Sequence, residues 1–317
     1  MRDMKILITG ATGFIGSQII HELQSGDSTH EIRILSRNPE KARQHFKSLP
    51  QITAFKWNAE TEVAPATALE KVDAVLHLAG ENLTAGRWNE ETKRRIMDSR
   101  KLGTRNLVEG LNRMATSPVF ISTSAIGYYG SRGDDVLTES SPPGTGFLPE
   151  VCQTWETEAL LAKTPKLAIF RFGMVLGKGG GALEKLLPFF KAGVGGRIGS
   201  GNHWMSWIDH RDLTDLLIKA LSEAKTGDAF RGIYNAVAPE PVTNREFTKT
   251  LGSVLHRPTF IPVPVAGLKL AYGEMVEEVM IASQRVIPQR LLSQGYSFRF
   301  PTLSASLASL MVEVPRS

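Results

Sequence analysis

Thr9-Gly10-Ala11-Thr12-Gly13-Phe14-Ile15-Gly16 is the stretch on which the fold turns. Before it, Lys5–Thr9 (K-I-L-I-T) is a short, β-rich apolar run. After it, Phe14, Ile15, Ile19, Ile20 and Leu23 fall on one side of a helix starting near Gly13. A G-x-x-G-x-x-G spacing between a strand and a helix predicts a phosphate-binding turn. Gly10 permits the tight turn, Gly13 lets the backbone approach a pyrophosphate, and Gly16 lets helix and strand pack closely. Thr12 completes the cradle, and the free N–H groups of about Phe14 and Ile15 face the phosphates at the positive end of the helix dipole.

About 20 residues further on, a carboxylate at the end of the second strand would accept the ribose 2′-hydroxyl of NAD. Here the second strand, Glu31–Ser36, is followed by Arg37, and that position holds Ser36-Arg37 with no acid. A guanidinium fork pairs with a 2′-phosphate and a serine hydroxyl donates to it. The dinucleotide is therefore expected to be NADP(H), with Glu40 the nearest residue that would argue otherwise.

Working outward, strands recur at Ile52–Trp57, Asp73–Ala79, Val119–Thr123 and Lys166–Arg171, and a late one at Tyr234–Val237. Helices fall between them, including a long one from Asn89 to Met114 and another over about Val151–Ala162. This alternation predicts an α/β protein, a Rossmann-type doubly wound parallel sheet covered by helices on both faces. Residues 1–172 form the nucleotide-binding domain, rejoined by the strand near 233–237; residues 173–317 form mostly a smaller C-terminal, substrate-side domain. Asp209 caps one helix there, and Thr243-Asn244-Arg245-Glu246 is a capping box opening another.

The composition agrees. In 317 residues, 42% apolar and 22% charged describe a globular chain with ample core. One cysteine, Cys152, excludes an internal disulfide framework and a Cys-rich metal knuckle. A net charge of +5 without a basic block does not call for nucleic acid; an anionic small molecule explains it as well. Met1-Arg2-Asp3-Met4-Lys5 leads straight into a strand, and no run approaches a membrane span, so a cytoplasmic protein is expected. His203, His210 and Asp212 have no recognised metal spacing, and no metal is expected.

The glycine turn, the strand ending Leu78-Ala79-Gly80, and Ser122-Thr123-Ser124-Ala125-Ile126-Gly127-Tyr128-Tyr129-Gly130 resemble the extended short-chain dehydrogenase/reductases. Trp88, Ser99-Arg100, Gly103-Thr104, Trp155-Glu156, Arg171-Phe172-Gly173-Met174-Val175, Gly199-Ser200-Gly201, Trp207-Ile208-Asp209 and Ile287-Pro288-Gln289-Arg290 narrow the resemblance to the atypical "epimerase family" branch with its own C-terminal domain. The resemblance spans nearly the whole chain. It implies that Leu78, Ala79 and Gly80 pass under the cofactor, that Arg100 stands where other members carry Asn and reaches the cofactor, and that Val175 packs near the nicotinamide.

Extended members use a Tyr-x-x-x-Lys pair for proton transfer, the Lys lowering the phenol's pKa and holding the ribose. Phe147-Leu148-Pro149-Glu150-Val151-Cys152-Gln153-Thr154-Trp155-Glu156, where that pair belongs, contains neither residue. Ser124 and Tyr129, at the carboxyl end of the fifth strand, are the candidate catalytic side chains. Cys152 reads as a buried thiol and Glu156 as a residue fixing its helix. Arg197, Arg285 and Arg290 are candidate cations of a substrate cleft. Two functions follow: an NADP(H)-dependent oxidoreductase or epimerase-like enzyme on a small, nucleotide-linked substrate, or a non-catalytic NADP(H)-binding regulator.

Overall fold

Strand β1 (Lys5–Thr9) divides its side chains between two apolar layers: Ile6 and Ile8 enter one, Leu7 the other. Burial on both sides is why the strand reads as continuously apolar rather than alternating. The computed structural model describes residues 3–25, 29–49, 51–84, 86–223 and 230–312, so Met1 and Arg2 lie outside it. The first elements are α1 (Phe14–Leu23), β2 (Glu31–Ser36), α2 (Pro39–His45), β3 (Ile52–Lys56), α3 (Ala66–Leu69), β4 (Ala74–His77), α4 (Glu90–Asn112) and β5 (Val119–Ala125). Then come β6 (Val136–Leu137), α5 (Phe147–Leu160), β7 (Leu167–Phe172), β8 (Met174–Gly177), α6 (Gly181–Lys191), β9 (Trp204–Met205), β10 (Trp207–Asp209), α7 (His210–Glu223) and β11 (Gly232–Ala236). The chain closes with β12 (Val242–Thr243), α8 (Asn244–Val254), α9 (Val265–Tyr272), β13 (Arg285–Val286), α10 (Gln289–Ser293) and α11 (Leu303–Met311).

Seven strands pair in the order β11-β7-β5-β4-β1-β2-β3, every pair parallel. The order reverses between β1 and β4, which opens a crevice at their carboxyl ends. Helices α1 and α7 cover one face through Ile19, Ile20, Leu213, Leu216 and Leu217. Helices α3, α4 and α5 cover the other through Leu69, Leu107, Leu111 and Ala159. A separate core of Leu176, Leu183, Phe190, Trp207, Phe247, Leu251 and Leu307 builds the smaller C-terminal region. Helix α7 and β11 both pack in the first core, so the chain crosses between the two regions more often than a break at 172 with one return implies.

Local signals account for most boundaries. The Asn89 side chain accepts the Thr92 N–H at 2.8 Å and starts α4, and Thr243 with Glu246 forms the capping box of α8. Helix α5 begins at Phe147, earlier than the periodicity suggests. Pro149 sits in its first turn, where a missing N–H removes no intrahelical bond. The Glu278 carboxylate, over 120 residues away in sequence, accepts the Phe147 and Leu148 N–H groups at 3.3 and 3.1 Å. A distant cap of this kind leaves no local trace.

Under the crevice, His77 is fully buried, with Nδ1 2.7 Å from Thr9 Oγ1 and Nε2 2.9 Å from Thr104 Oγ1. It ties β4 to β1 and to α4. Burial pulls its pKa down to about 4 from 6.5. Between these values the unfolded chain binds a proton that the folded chain refuses, so stability rises with pH across the window and falls as pH drops through it. Denaturant unfolding at pH 7 and pH 4 is expected to show a loss about 3 kcal/mol larger for the wild type than for His77→Gln, which has no group to titrate. Equal losses would show that His77 carries no such linkage.

Candidate functional site

The glycine turn closes against the end of β4. Gly10 adopts φ +68°, and a Cβ on it would stand 2.7 Å from the Leu78 carbonyl carbon. A Cβ on Gly16 would stand 2.5 Å from the Gly10 oxygen, so the turn and α1 fit only without side chains at these positions. Gly13 occupies the N-cap of α1 and offers no side-chain cap, which leaves the first helical N–H groups to a ligand. Thr9 Oγ1, fixed by His77, accepts the Ala79 N–H at 3.2 Å and holds the β4 end in place.

A cleft of about 600 Å³ opens over this turn. Gly10, Thr12, Gly13, Ser36, Arg37, Leu78, Ala79 and Gly80, all singled out from the sequence, line it. Lys41, Asn58, Glu60, Glu81 and Ser99 line it too and were not anticipated. Lys41 was within reach of sequence reasoning: Asn38 caps α2 and Pro39 follows, so one helical turn brings Lys41 back beside Arg37. The contribution of Asn58 and Glu60 depends on β3 lying beyond β2 in the sheet, which spacing does not reveal.

Arg37 and Lys41 are both exposed, and neither side chain has a hydrogen bond or ion pair among the described residues. Ser36 Oγ donates to the Asn38 carbonyl at 3.1 Å and shapes the turn that carries Arg37. Glu40 turns to Arg43 and does not line the cleft. Phe14 and Ile15 begin α1, where their N–H groups stand at the turn, while their side chains face elsewhere: the Phe14 ring packs on the backbone of Gly177 and Gly180 with its centroid 5.5 Å from that of the tilted His210 ring, and Ile15 packs on the main core. Val175 pairs with Ile208 beside that core, outside the cleft lining.

Arg100 also departs from expectation. It is 9% exposed and lies behind Gly80 instead of in the cleft, its guanidinium carbon 3.2 Å from where a Gly80 Cβ would be. Its donors reach the Ile96 and Glu81 carbonyls at 3.2 and 3.1 Å, and its plane lies 5.0 Å over the Trp155 ring.

Ser124 and Tyr129 are brought together, but inside the fold. Ser124 Oγ donates to Glu156 Oε1 at 2.7 Å, and Arg171 grips both Glu156 oxygens at 2.7 Å each. Arg171 also donates to Tyr129 Oη at 2.9 Å, and Tyr129 donates to Asn235 Oδ1 at 2.7 Å. Burial pushes the Tyr129 phenol up to about 12. The expectation of Tyr129 as a proton carrier is corrected: a fully buried phenol with both hydrogen-bonding roles filled is a fixed link between β5, β7 and β11. Ser124 is likewise committed to Glu156, which anchors α5. Cys152 is buried and its thiol is pushed up to about 11, so it stays protonated at neutral pH.

The remaining candidates serve packing. Asp212 accepts the Arg299 and Phe300 N–H groups at 2.6 and 2.9 Å, and no set of three metal-ligating side chains occurs among the described residues. Arg197 closes its own loop onto the Gly199 carbonyl, and Arg285 stacks 4.3 Å over Trp204. Arg290 donates to the Ile233 and Arg231 carbonyls at 2.6 and 2.9 Å and docks the C-terminal segment on the sheet edge.

Comparison with known proteins places this geometry. The profile of the NAD dependent epimerase/dehydratase family matches residues 6–236, and a domain of unknown function matches residues 263–310. An Arabidopsis thaliana protein named Epimerase family protein SDR39U1 homolog, chloroplastic, is 38% identical over 315 residues, covering 98% of this chain and 87% of its own. The human Epimerase family protein SDR39U1 is 34% identical, covering 97% and 100%. A crystal structure of that human protein with NADPH superposes with a TM-score of 0.82 at 32% identity, over 97% of this chain and 99% of that one. A Corynebacterium glutamicum structure described as a nucleoside-diphosphate sugar epimerase gives 0.75 at 33% identity, over 97% of this chain and 58% of that one. The chain belongs to the NAD dependent epimerase/dehydratase family.

Proposed function

We propose that this chain binds NADP(H) in the β1–β4 crevice and acts as an oxidoreductase of the epimerase-like kind on a small, anionic, nucleotide-linked substrate. The observation that carries the cofactor assignment is the pair of unpaired cations, Arg37 and Lys41, at the cleft rim beyond β2. Gly10, Thr12 and Gly13 leave room and backbone donors for the pyrophosphate. Leu78, Ala79 and Gly80 form the floor, the Phe14 and Ile15 N–H groups at the start of α1 face the phosphates, and Gly16 lets α1 pack against the turn, with Val175 beside the core behind the cradle. The NADPH in the human relative's crystal structure supports the same reading. When bound, the nicotinamide supplies hydride-transfer chemistry.

The nucleotide-linked substrate is supported by the description of the Corynebacterium protein as a nucleoside-diphosphate sugar epimerase. No helix among the described residues is long and apolar enough to cross a membrane. One relative's name places it in the chloroplast, so a cytoplasmic location is not a property of the family. A second reading, a regulator that binds NADP(H) without turnover, is favoured by one observation: the Ser124 and Tyr129 hydroxyls are both engaged in the buried network.

Arg37→Glu with Lys41→Glu is expected to weaken NADPH binding about 100-fold or more while changing NADH by less than about threefold, since each lost charge-assisted contact is worth about 1.5–3 kcal/mol. Equal losses for both dinucleotides in a fluorescence titration would remove the 2′-phosphate assignment. Tyr129→Phe is expected to leave NADPH affinity unchanged and to lower unfolding stability by about 1–3 kcal/mol, because Asn235 and Arg171 lose a buried partner. Cofactor oxidation by the loaded protein against carbonyl and sugar-nucleotide panels separates the two readings: turnover establishes the enzyme, and its absence throughout favours the regulator.

A further inference from the structure

Helix α9 departs from the packing of the other helices. Val265–Tyr272 carries a single charge, at Lys269, yet none of its residues is buried. Its ends are held through the main chain: Val263, just before it, bridges to Ile198, and Arg87 donates to the Leu270 carbonyl at 3.1 Å. Leu270 is left 77% exposed. A short helix in water draws its stability from a covered apolar face, and the described residues give this one no cover.

The segment leading into α9 extends the same surface. Phe260 is 89% exposed, and Ile261 beside it is mostly exposed. Their loop lies against the end of α6: Arg257 Nε donates to the Lys191 carbonyl at 2.9 Å, and the Ile261 oxygen stands where a Gly196 Cβ would be. That end of α6 adds Phe189 and Val194, each more than half exposed. Large apolar side chains gathered on one outer face mark an interaction site.

Charge says what the occupant is. The two stretches that carry these side chains, residues 185–208 and 247–273, contain six lysines and arginines and no Asp or Glu. The carboxylates that follow, Glu274 and Glu277, are paired with Lys93 and Lys269, and Glu184 stands at the opposite end of α6 from Lys191. Lys191 and Arg257 are exposed, with no ion pair among the described residues. A second copy of this chain would set cation against cation here, whereas an anionic surface complements the face. Phe260 projects as a tip instead of lining a groove. Apolar tips beside cations match the boundary of an anionic bilayer, where rings enter the headgroup layer and Lys and Arg meet lipid phosphates. No described helix is long and apolar enough to cross a membrane, so the contact is peripheral.

We propose that this face seats the protein on an anionic lipid surface, with Phe189, Phe260 and Ile261 entering the headgroup layer and Lys191 and Arg257 meeting its phosphates. None of these residues lines the dinucleotide cleft, so the proposal stands apart from the NADP(H) reading.

Cosedimentation of the full chain with vesicles of phosphatidylglycerol and, separately, of phosphatidylcholine tests it. The wild type is expected to bind phosphatidylglycerol about tenfold or more tightly than phosphatidylcholine, and to lose that preference as salt is raised. Phe260→Ser with Ile261→Ser is expected to weaken phosphatidylglycerol binding about tenfold or more and to leave the melting temperature and NADPH affinity unchanged, because both side chains are uncovered in the free chain. Lys191→Glu is expected to weaken phosphatidylglycerol binding about tenfold without affecting binding to phosphatidylcholine. No sedimentation with phosphatidylglycerol, equal binding to both lipids at low salt, or a double serine variant that binds as the wild type does overturns the proposal. In a chain that ignores the vesicles, dimers lost in the double variant assign the face to a second copy, and binding of an acidic amphipathic peptide assigns it to a protein; either result overturns the lipid assignment.

Discussion

The close approach of the glycine turn to the end of β4 governs the geometry of everything around it. With a would-be Gly10 Cβ 2.7 Å from the Leu78 carbonyl carbon, β1 and β4 sit as neighbours and the cleft opens at their carboxyl ends. The strand order reverses there, so α1 leaves on one face while α4 lies on the other. The buried bridge from Thr9 through His77 to Thr104 keeps both strand ends and α4 in register with the crevice. The bridge needs a neutral imidazole, because a charged one would be desolvated without a counter-ion.

At the β5 end of the sheet a different interaction dominates. Glu156 and Arg171 form a bidentate pair, both almost fully buried; Ser124 donates to Glu156, and Tyr129 accepts from Arg171 while donating to Asn235. A pair like this adds little net stability, yet removing one partner typically costs about 3–5 kcal/mol because the other is stranded. It therefore locks α5, β5, β7 and β11 into one arrangement. The residues that would otherwise move protons are spent in that lock, so chemistry here has to draw on groups outside it.

The sheet was legible in the sequence because each central strand, buried on both sides, reads as an apolar run bounded by glycine or a helix cap. The crevice was legible too, since Gly10, Gly13, Ser36 and Arg37 obey rules tied to local chain geometry. What sequence reasoning missed depends on contacts between distant segments. Glu278 caps α5 from the C-terminal region, Asn58 and Glu60 join the cleft through sheet order, and Tyr129 meets Asn235 across β11. Tyr128 and Tyr129 are adjacent in sequence, and only the packed structure shows that Tyr129 is the fully buried one. Arg100 was expected to reach the cofactor, and its place behind Gly80, outside the cleft lining, follows from the packing of α4 on α5.

The account stands on a crevice shaped for a dinucleotide that carries a 2′-phosphate. Titration of the unmodified chain with NADPH and NADH, followed by tryptophan quenching at fixed ionic strength, tests this most directly. Saturable binding with NADPH at least tenfold tighter than NADH is the result the account requires. Equal affinity, a preference for NADH, or no binding of either would contradict it.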